Sequence, residues 1–356
     1  MWSILKIYMG FGLLTIYVHR ADSELIGEDT HCGSGDEDCE KFVAIKVYEQ
    51  ADRWWHETNM YNSLRAYKNI RVLSYGISPL FFYDSDSNVN VFSLFECNIH
   101  DKKKELKING RSFNQQDYLI LFKDFVRQIK YLHTREIRHD DVKPANIMIR
   151  RGRSFLIDFD KSSQMNQPIS NGTPKFMSRR GHQQVTQWDN SNLEGHPHDD
   201  WESFLYTIAD IADVKLPWFK INANDYDTAK LESIAKLKER TGETVKLIKN
   251  RFPEGKFDKL RKVIDAFAKE AFESTESFPN YDKLDNLILE QLAGQGRVND
   301  VFALFSWIDR EGEHYNAAMQ DFRGVTGPFK ATLIKFQSEA DDDDDYDDDD
   351  DDDDDY

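Results

Sequence analysis

Short apolar runs fill the first third of the chain, and their length and spacing predict strands. Runs at 41–47, 72–83 and 89–95 are bounded by polar or turn-forming residues. Between the first two runs, residues 52–67 repeat apolar side chains at helical spacing. We therefore expect a small sheet-rich lobe with one helix, and we interpret the charged segment 101–107 as the connector that leaves it.

The pattern changes to a helical period after this connector. Apolar residues recur every three or four positions in 115–134, so one face of the predicted helix must be buried. The same period predicts helices at 201–211, 228–249, 257–272 and 281–292. A small β-rich lobe followed by a larger α-helical lobe makes a two-lobed α+β fold.

The first 23 residues have the layout of a secretory signal. Lys6 precedes an apolar run at 7–18, and small residues at 21–23 could serve as the cleavage site. The run is too short to span a bilayer about 30 Å thick. A short signal anchor and an N-terminal strand are the alternatives. We expect a mature chain that begins near Glu24, is secreted or lumenal, and keeps no membrane anchor after cleavage.

Composition supports one two-lobed domain with appendages. The chain has 356 residues and is 40% hydrophobic, which is enough for a sizeable core. Fourteen aspartates at 341–345 and 347–355 supply most of the net charge of −18, so the rest of the chain carries about −4. This mild acidity leaves no broad basic face, and we expect no nucleic-acid partner.

The aspartate tail, residues 341–356, follows a C-terminal extension at 301–340. A run of like charges cannot bury a core, and we expect the tail to be disordered. Three uses compete for it: solvation, weak Ca²⁺ binding, and occupation of a basic substrate site as an autoinhibitor.

Three cysteines bear on the redox compartment. Cys32 and Cys39 flank a Gly-Ser-Gly sequence and could form a local disulfide, which would leave Cys97 free. An intracellular location would instead leave all three reduced. The sequence does not decide between these alternatives.

Residues suited to phosphate chemistry lie in two neighbouring segments between apolar, strand-like runs. The first segment contains Asp141, Lys143 and Asn146, and the second contains Asp158. Phosphoryl transfer asks the protein mainly for positioning and for neutralisation of negative charge. Two carboxylates, an ammonium group and an amide are the parts needed to hold a nucleotide with its metal and to orient a hydroxyl.

In order and spacing, these segments resemble the catalytic loop and metal-binding motif of a protein kinase. The resemblance implies that Asp141 is the catalytic base. It also implies that Lys143 neutralises the γ-phosphate, as in serine/threonine kinases. Asn146 and Asp158 would then bind Mg²⁺, with Mn²⁺ as the alternative metal.

Further residues of the pattern follow in the expected order. Thr173, in Gly172-Thr173-Pro174, resembles the threonine that contacts the catalytic base and the lysine. Asp200 resembles the buried aspartate that holds the catalytic loop from below. His139 and Phe159 would support the loop and the metal-binding aspartate. The kinase lobes implied by the resemblance are residues 24–97 and 98–300.

The resemblance also implies a site for ATP. Lys46 ends a Val-Ala-Ile-Lys sequence that is similar to the kinase strand whose lysine pairs with the α- and β-phosphates, and Glu57 lies where its carboxylate partner belongs. The glycine-rich phosphate loop is the least similar part, and only Gly27 stands near its first position. The adenine is expected against a connector formed by Phe95, Glu96 and Cys97.

Within the superfamily the details resemble the casein kinase I group. Three short stretches carry this likeness, at 57–61, 199–203 and 278–284. The resemblance implies a protein substrate that is acidic or already phosphorylated, and Arg179 and Arg180 are the candidates to bind it.

The chain departs from the kinase pattern at two positions. Asp160 replaces the glycine of Asp-Phe-Gly and adds a carboxylate that could recruit a cation or misplace Asp158. Asp140 replaces the arginine that often pairs with an activation-loop phosphate, so activation by such a phosphate is not expected. A glycosylation sequon at Asn171 lies in the same region, where a glycan would crowd the substrate cleft.

Two functions from different classes are compatible with these features. The first is a secreted or lumenal serine/threonine protein kinase. The second is a secreted pseudokinase that acts by binding, with the acidic tail carrying the interaction. Random loss of activity would erode some of the functional positions. All five are retained, namely Lys46, Glu57, Asp141, Asn146 and Asp158, and this favours the enzyme.

Overall fold

The computed structural model describes most of the first of two compact units, Met1–Ser306 and Trp307–Tyr356. It describes residues 42–169, 172–186, 194–223, 227–293 and 305, together with the backbone of 3–9 and 12–20. Several predictions therefore fall outside the described residues: Gly27, the Cys32–Cys39 pair, Asn171 and the tail at 341–356.

A five-stranded antiparallel sheet forms the smaller lobe. Its strands lie in the order β1-β2-β3-β5-β4. Their bounds are Ser3–Met9 for β1, Gly12–Arg20 for β2, Phe42–Val47 for β3, Leu80–Asp84 for β4 and Val89–Ser93 for β5. β3 is the central strand, and its register places Lys46 opposite Asn90 of β5.

The first two strands occupy the segment whose hydropathy predicts a secretory signal. β1 pairs with β2 from Ser3 opposite Val18 to Met9 opposite Gly12, and β2 continues the sheet onto β3. The structure thus shows the strand alternative for this segment. Cleavage of a signal is not tested by the backbone pairing and stays a prediction.

One helix, α1 at Ala51–Ser63, packs on this sheet as predicted. Its buried face includes Trp54, Glu57 and Tyr61, and the Tyr61 ring lies 4.9 Å from that of Phe92. The helix therefore carries a carboxylate inward, toward β3.

The predicted strand at 72–83 is wrong over its first half, because Ile70–Tyr75 is a short 3-10 helix. The Asn69 side chain accepts a hydrogen bond from the Arg71 N–H, and Gly76 ends the turn at φ 78°. The strand β4 begins only at Leu80. The apolar run alone predicts an extended strand here, but the local cap stabilises a 3-10 helix instead.

The charged connector predicted at 101–107 is helical, a feature that the sequence did not indicate. A two-residue strand, β6 at Cys97–Asn98, leads into α2 at Ile99–Ile108. The Asn98 side chain accepts the Asp101 N–H at 2.8 Å and caps the helix. Only Ile99 and Leu106 are buried, so the apolar stripe is too thin to be recognised in the sequence.

The larger lobe is helical, as predicted. Its helices are α3 Gln115–His133, α4 Arg179–Thr186, α5 His198–Ile211, α6 Thr228–Lys238, α7 Thr241–Asn250, α8 Asp258–Glu273 and α9 Tyr281–Ala293. Its core forms where Phe125 of α3 stacks on Phe204 of α5 at 3.8 Å, with Phe267 of α8 alongside. Within the described ranges no helix has the length and apolarity to cross a membrane.

The helix predicted at 228–249 is in fact two helices, α6 and α7. Buried positions are four residues apart on each side of the break, at Ile234 and Lys238 in α6 and at Thr244 and Ile248 in α7, so each half alone has a helical period. The first helix ends where the Lys238 side chain turns inward. Its ammonium group donates hydrogen bonds to the Pro174 and Met177 carbonyls.

Two small sheets position the loops between the lobes. Strand β8 (Ile147–Arg150) lies between β6 and β9 (Arg153–Leu156). Strand β7 (Ile137–Arg138) pairs with β10 (Ser163–Gln164). The loops that leave β7 and β9 carry the two segments in which phosphate chemistry is predicted.

Candidate active site

A chain of three charged side chains joins the lobes. The Lys46 ammonium lies 2.6 Å from a Glu57 oxygen and 2.5 Å from an Asp158 oxygen. Burial lowers the pKa of Lys46, but the two carboxylates outweigh it and raise that pKa well above its ordinary value. Burial has the opposite effect on an acid and raises the pKa of Asp158, but Lys46 outweighs burial and brings this pKa down to about 2. Lys46 is therefore a cation and Asp158 an anion at neutral pH.

Glu57 is buried and accepts hydrogen bonds from three directions. Besides Lys46, the Tyr48 hydroxyl and the Phe159 N–H donate to its carboxylate, the latter at 3.1 Å. Burial raises the pKa of Glu57 to about 7, against the lowering effect of Lys46. This single side chain thus connects helix α1, strand β3 and the Asp158 loop.

Asp141 lies at the centre of the loop that follows β7. The Thr173 N–H and hydroxyl donate to one carboxylate oxygen at 2.9 and 2.7 Å, and the Lys143 ammonium donates to the other at 2.6 Å. Lys143 also donates to the Thr173 hydroxyl at 3.0 Å. Lys143, from the same loop, and Thr173, from a segment 30 residues further along, therefore meet at the Asp141 carboxylate.

Gly172 makes the approach of Thr173 feasible. A Cβ atom at Gly172 would lie 2.8 Å from the Asp140 carbonyl oxygen, a distance that no side chain tolerates. The backbone before Thr173 consequently lies directly on the loop that carries Asp141.

Asn146 is buried and leaves one polar atom without a partner. Its amide nitrogen donates to the backbone oxygen of Asp141 at 3.0 Å, which fixes the orientation of the side chain. Its Oδ1 atom has no hydrogen-bond partner among the described residues. An orphaned buried oxygen is costly unless a ligand uses it, so this atom is suited to bind a cation.

Asp158 and Phe159 are held in a constrained conformation. Asp158 has φ 69°, in the left-handed region that disfavours side chains. The Phe159 ring is buried between Tyr61 of α1, at 5.0 Å, and His139, at 5.1 Å. His139 in turn bonds the Ile157 carbonyl at 2.9 Å. These contacts offset the strain and keep the Asp158 carboxylate directed at Lys46.

Asp200 supports the Asp141 loop from helix α5. Its two oxygens accept the N–H groups of His139 and Asp140, both at 2.9 Å, and the His133 ring bonds it at 3.0 Å. Burial raises the pKa of Asp200, but the His133 contacts and the loop amide outweigh this effect and hold it below its ordinary value. Asp200 is thus a buried anion that fixes two consecutive backbone amides.

Asp160 has a cationic partner within the protein. Its buried carboxylate forms an ion pair with Arg53 of α1. One turn further along the helix, the His56 ring bonds the Ser162 carbonyl at 2.7 Å. The extra carboxylate is therefore a second tie between α1 and the segment that follows Asp158, and the Lys46 ion pair remains intact beside it.

The connector residues face different surroundings. Phe95 is buried against Phe155, with ring centroids 5.1 Å apart. The Glu96 N–H donates to the Ile149 carbonyl at 2.9 Å, and Cys97 belongs to strand β6, where it pairs with Ile149. The Glu96 amide is thus engaged within the protein, and the adenine site stays a prediction.

The two arginines predicted to bind substrate differ in how closely other side chains of the protein contact them. The Arg179 side chain lies 3.2 Å from Glu202, and its guanidinium covers the Phe272 ring at 4.9 Å. Arg180 lies 3.7 Å from Asp199 and is 40% exposed. The Arg179 guanidinium therefore stabilises the fold, and the Arg180 guanidinium is the more accessible of the two to a substrate.

The sequence did not point to Arg53, Arg138 or Tyr48, all of which contact site residues. A signal for the two arginines existed, because Asp140 and Asp160 introduce carboxylates into segments that must be buried, and a buried carboxylate needs a cation. Arg53 is four residues before Glu57, on the same helix face. Nothing in the sequence indicated Tyr48.

Comparison with known proteins agrees with this geometry. A family model of the protein kinase domain matches residues 31–268, more than half of the chain. A probable casein kinase I homolog of Encephalitozoon cuniculi (strain GB-M1) is 25% identical over 286 residues, which cover 75% of this chain and 85% of that protein. These matches confirm the predicted two-lobed α+β fold. The chain belongs to the protein kinase domain family.

Proposed function

We propose that this protein is a serine/threonine protein kinase that transfers the γ-phosphate of ATP to protein hydroxyls. The observation that carries the proposal is the convergence of Thr173 and Lys143 on the Asp141 carboxylate. A carboxylate with an ammonium beside it can accept a hydroxyl proton while the neighbouring positive charge offsets the charge of the transferred group.

In this mechanism each described residue has one task. Asp141 accepts the proton of the substrate hydroxyl, and Lys143 remains cationic because Asp141 raises its pKa against the opposing effect of burial. Lys46, held by Glu57, binds phosphate oxygens of the nucleotide. Asp200 and His139 keep the loop in place and touch no reacting atom.

A divalent metal fits the residues that are present. The orphaned Oδ1 of Asn146 and the anionic Asp158 are the two protein oxygens suited to Mg²⁺ or Mn²⁺. Among the described residues no cluster of three or more His, Cys, Asp or Glu side chains forms a ready-made metal site. This suits a metal that takes its remaining ligands from phosphates and water. When bound, the metal supplies positive charge to the transferred phosphoryl group.

The choice of substrate is a finer part of the proposal. Similarity to a probable casein kinase I homolog, together with the half-exposed Arg180, supports acidic or already phosphorylated protein substrates. Lys143 supports serine and threonine over tyrosine through the resemblance to serine/threonine kinases. A location in the secretory pathway is also proposed, and it rests on the hydropathy of the first 23 residues.

The test measures ³²P transfer from ATP to casein by the full-length chain, with Mg²⁺ or Mn²⁺. The Asp141→Asn variant should lose about 100- to 10,000-fold in kcat, because it removes the general base. Asp282→Asn is the matched control, since Asp282 is an exposed aspartate paired only at the surface with Lys130. Its kcat should equal that of the wild type.

Two outcomes would overturn the proposal. One is the absence of transfer with either metal together with no thermal shift on adding ATP, and this outcome would favour a binding protein. The other is transfer that persists unchanged in Asp141→Asn. Phosphoamino-acid analysis of the labelled casein separates serine and threonine from tyrosine specificity. Dephosphorylated casein should have a higher KM, and Arg180→Ala should abolish that difference.

A further inference from the structure

Arg138 is a fully buried arginine that lies outside the residues assigned to catalysis. It ends strand β7, two residues before Asp140. Its guanidinium forms a two-pronged ion pair with Asp140, with nitrogen–oxygen distances of 3.0 and 3.2 Å. Asp140 is the neighbour of Asp141 and has φ 61°, a conformation that needs support from its surroundings.

The same guanidinium binds the segment 163–167 at three points. One nitrogen donates to the Ser163 hydroxyl at 2.6 Å and to the Gln167 carbonyl at 2.8 Å, and another donates to the Met165 carbonyl. The Ser163 hydroxyl also bonds Asp140. One cation thus joins the Asp141 loop to a segment more than 20 residues further along the chain.

A third backbone segment closes over this cation. A Cβ atom at Gly195 would collide with the guanidinium of Arg138, so only glycine fits there. The Gly195 N–H donates to the Gln167 carbonyl at 3.1 Å, and helix α5 with Asp200 begins three residues later. Arg138 therefore lies at the junction of the Asp141 loop, the segment 163–167 and the start of α5.

The charges at this junction are balanced within the protein. Arg138 is neutralised by Asp140, and its other donors are taken up by a hydroxyl and carbonyl oxygens. Burial lowers the pKa of Arg138, but Asp140 outweighs it and the pKa stays raised. A phosphate brought to this junction would meet the Asp140 carboxylate and a cation that is already paired, so it would find repulsion rather than a binding site.

We propose that Arg138 is a positioning residue that holds the segment 163–167 against the Asp141 loop, and that it makes catalysis independent of phosphorylation in that segment. The inference rests on the proposed kinase function for its catalytic part. Its structural part, the ordering of the segment 163–167 by one guanidinium, does not depend on that function.

The experiment compares Arg138→Met, Arg138→Lys and Arg153→Met in the full-length chain. Arg153 forms a buried ion pair of the same kind with Asp124 and joins α3 to β9, so its loss controls for the general cost of removing a buried arginine. Removal of Arg138 should lower kcat per folded molecule by about 100-fold with little change in KM for ATP, because reacting groups are misplaced. The Arg138→Lys variant keeps the positive charge but loses the paired donors of the guanidinium, so it should restore kcat only in part.

Hydrogen exchange of the backbone amides at 163–167 separates a local effect from a general loss of stability. A general loss would change exchange throughout the protein and not in this segment alone. Exchange there should speed up in Arg138→Met and remain at the wild-type rate in Arg153→Met. In addition, wild-type protein treated with phosphatase, and shown by mass to carry no phosphate in that segment, should keep its full kcat.

Three results would overturn the inference. They are unchanged exchange at 163–167 in Arg138→Met, equal kcat per folded molecule for the Arg138 and Arg153 variants, and loss of kcat after phosphatase treatment. Failure of the proposed kinase function looks different, since the wild type itself would show no transfer. Exchange at 163–167 would still decide the structural part in that case.

Discussion

Replacing Asp200 by asparagine should destabilise the loop that carries Asp141, and the cost can be worked out from its hydrogen bonds. One Asp200 oxygen accepts a hydrogen bond from the Asp140 N–H, and the other accepts from the His139 N–H and the His133 ring. Asparagine keeps one oxygen, so its amide N–H₂ faces a buried backbone N–H that loses its acceptor. That orphan donor costs about 1–3 kcal/mol. The remaining bonds lose their charge assistance, and the total is about 2–4 kcal/mol.

Thr207→Val on the same helix is the matched comparison. The Thr207 hydroxyl lies 3.1 Å from the Val142 carbonyl of the same loop and 3.0 Å from the Ser203 carbonyl of its own helix, and these two acceptors share its one hydrogen. This bond involves no ionised group, so its loss should cost about 1 kcal/mol. Both residues are buried in α5 and differ mainly in the charge of the group that contacts the loop.

Urea unfolding of the full-length chain measures both free energies. We expect Asp200→Asn to lower the free energy of unfolding by at least twice the cost of Thr207→Val, and to lower kcat as the Asp141 loop loosens. The reasoning is refuted if the two variants cost the same. It is also refuted if Asp200→Asn loses stability while the kcat of the folded protein is unchanged, since the loop would then not depend on the two amides.

Three further predictions concern the lobe interface. Because the pKa of Glu57 is raised from 4.5 to about 7, the native state holds its proton longer than the unfolded state. Glu57 should therefore lower the free energy of unfolding by roughly 3 kcal/mol between pH 4.5 and 7, and Glu57→Gln should remove this contribution in urea titrations. Burial also raises the pKa of Asp199 to about 7, so a slope of the same sign from Asp199 should remain in the variant. Asp160→Gly removes the pair with the half-exposed Arg53, worth up to about 1 kcal/mol, and should raise KM for ATP by at most about fivefold. Asn146→Ala should raise the Mg²⁺ concentration for half-maximal ATP binding, seen by thermal shift.

Each of these predictions has a contradicting result. A pH slope that is as steep in Glu57→Gln as in the wild type would assign the titration to other groups. A lower KM for ATP in Asp160→Gly would show that the carboxylate hinders nucleotide binding rather than holding helix α1. Equal Mg²⁺ dependence in Asn146→Ala and wild type would remove Asn146 from the metal site.

Much of the fold could be predicted because the helical period and the short apolar runs are strong local signals. The helix at 115–134 is an example, since one face of α3 meets the core along its whole length. The boundary between α6 and α7 was missed because both halves have helical spacing and the short segment between them contains no proline. Helix α2 was missed because its stability comes from a cap and two apolar contacts rather than from a broad apolar stripe.

The site was predictable where spacing within a motif fixes geometry. Asp141, Lys143 and Asn146 lie within six residues of one another, and their contacts follow from a single loop. Contacts between distant segments were not predictable without the kinase resemblance, and the partners of the two unusual aspartates were missed altogether. A pairing such as Arg138 with the segment 163–167 depends on the whole chain path, which no local pattern encodes.

The buried Lys238 has a consequence for substrate binding that follows from linkage. Its ammonium group bonds the Pro174 carbonyl at 3.0 Å and lies over the Tyr206 ring at 4.7 Å, and burial lowers its pKa well below the ordinary value. The last turn of α6 and the loop 174–177 therefore form one cooperative unit. A peptide that binds to this loop must then stabilise α6 by the same free energy with which an intact α6 favours the peptide. The affinity of such a peptide is thus partly set by a helix that the peptide need not touch.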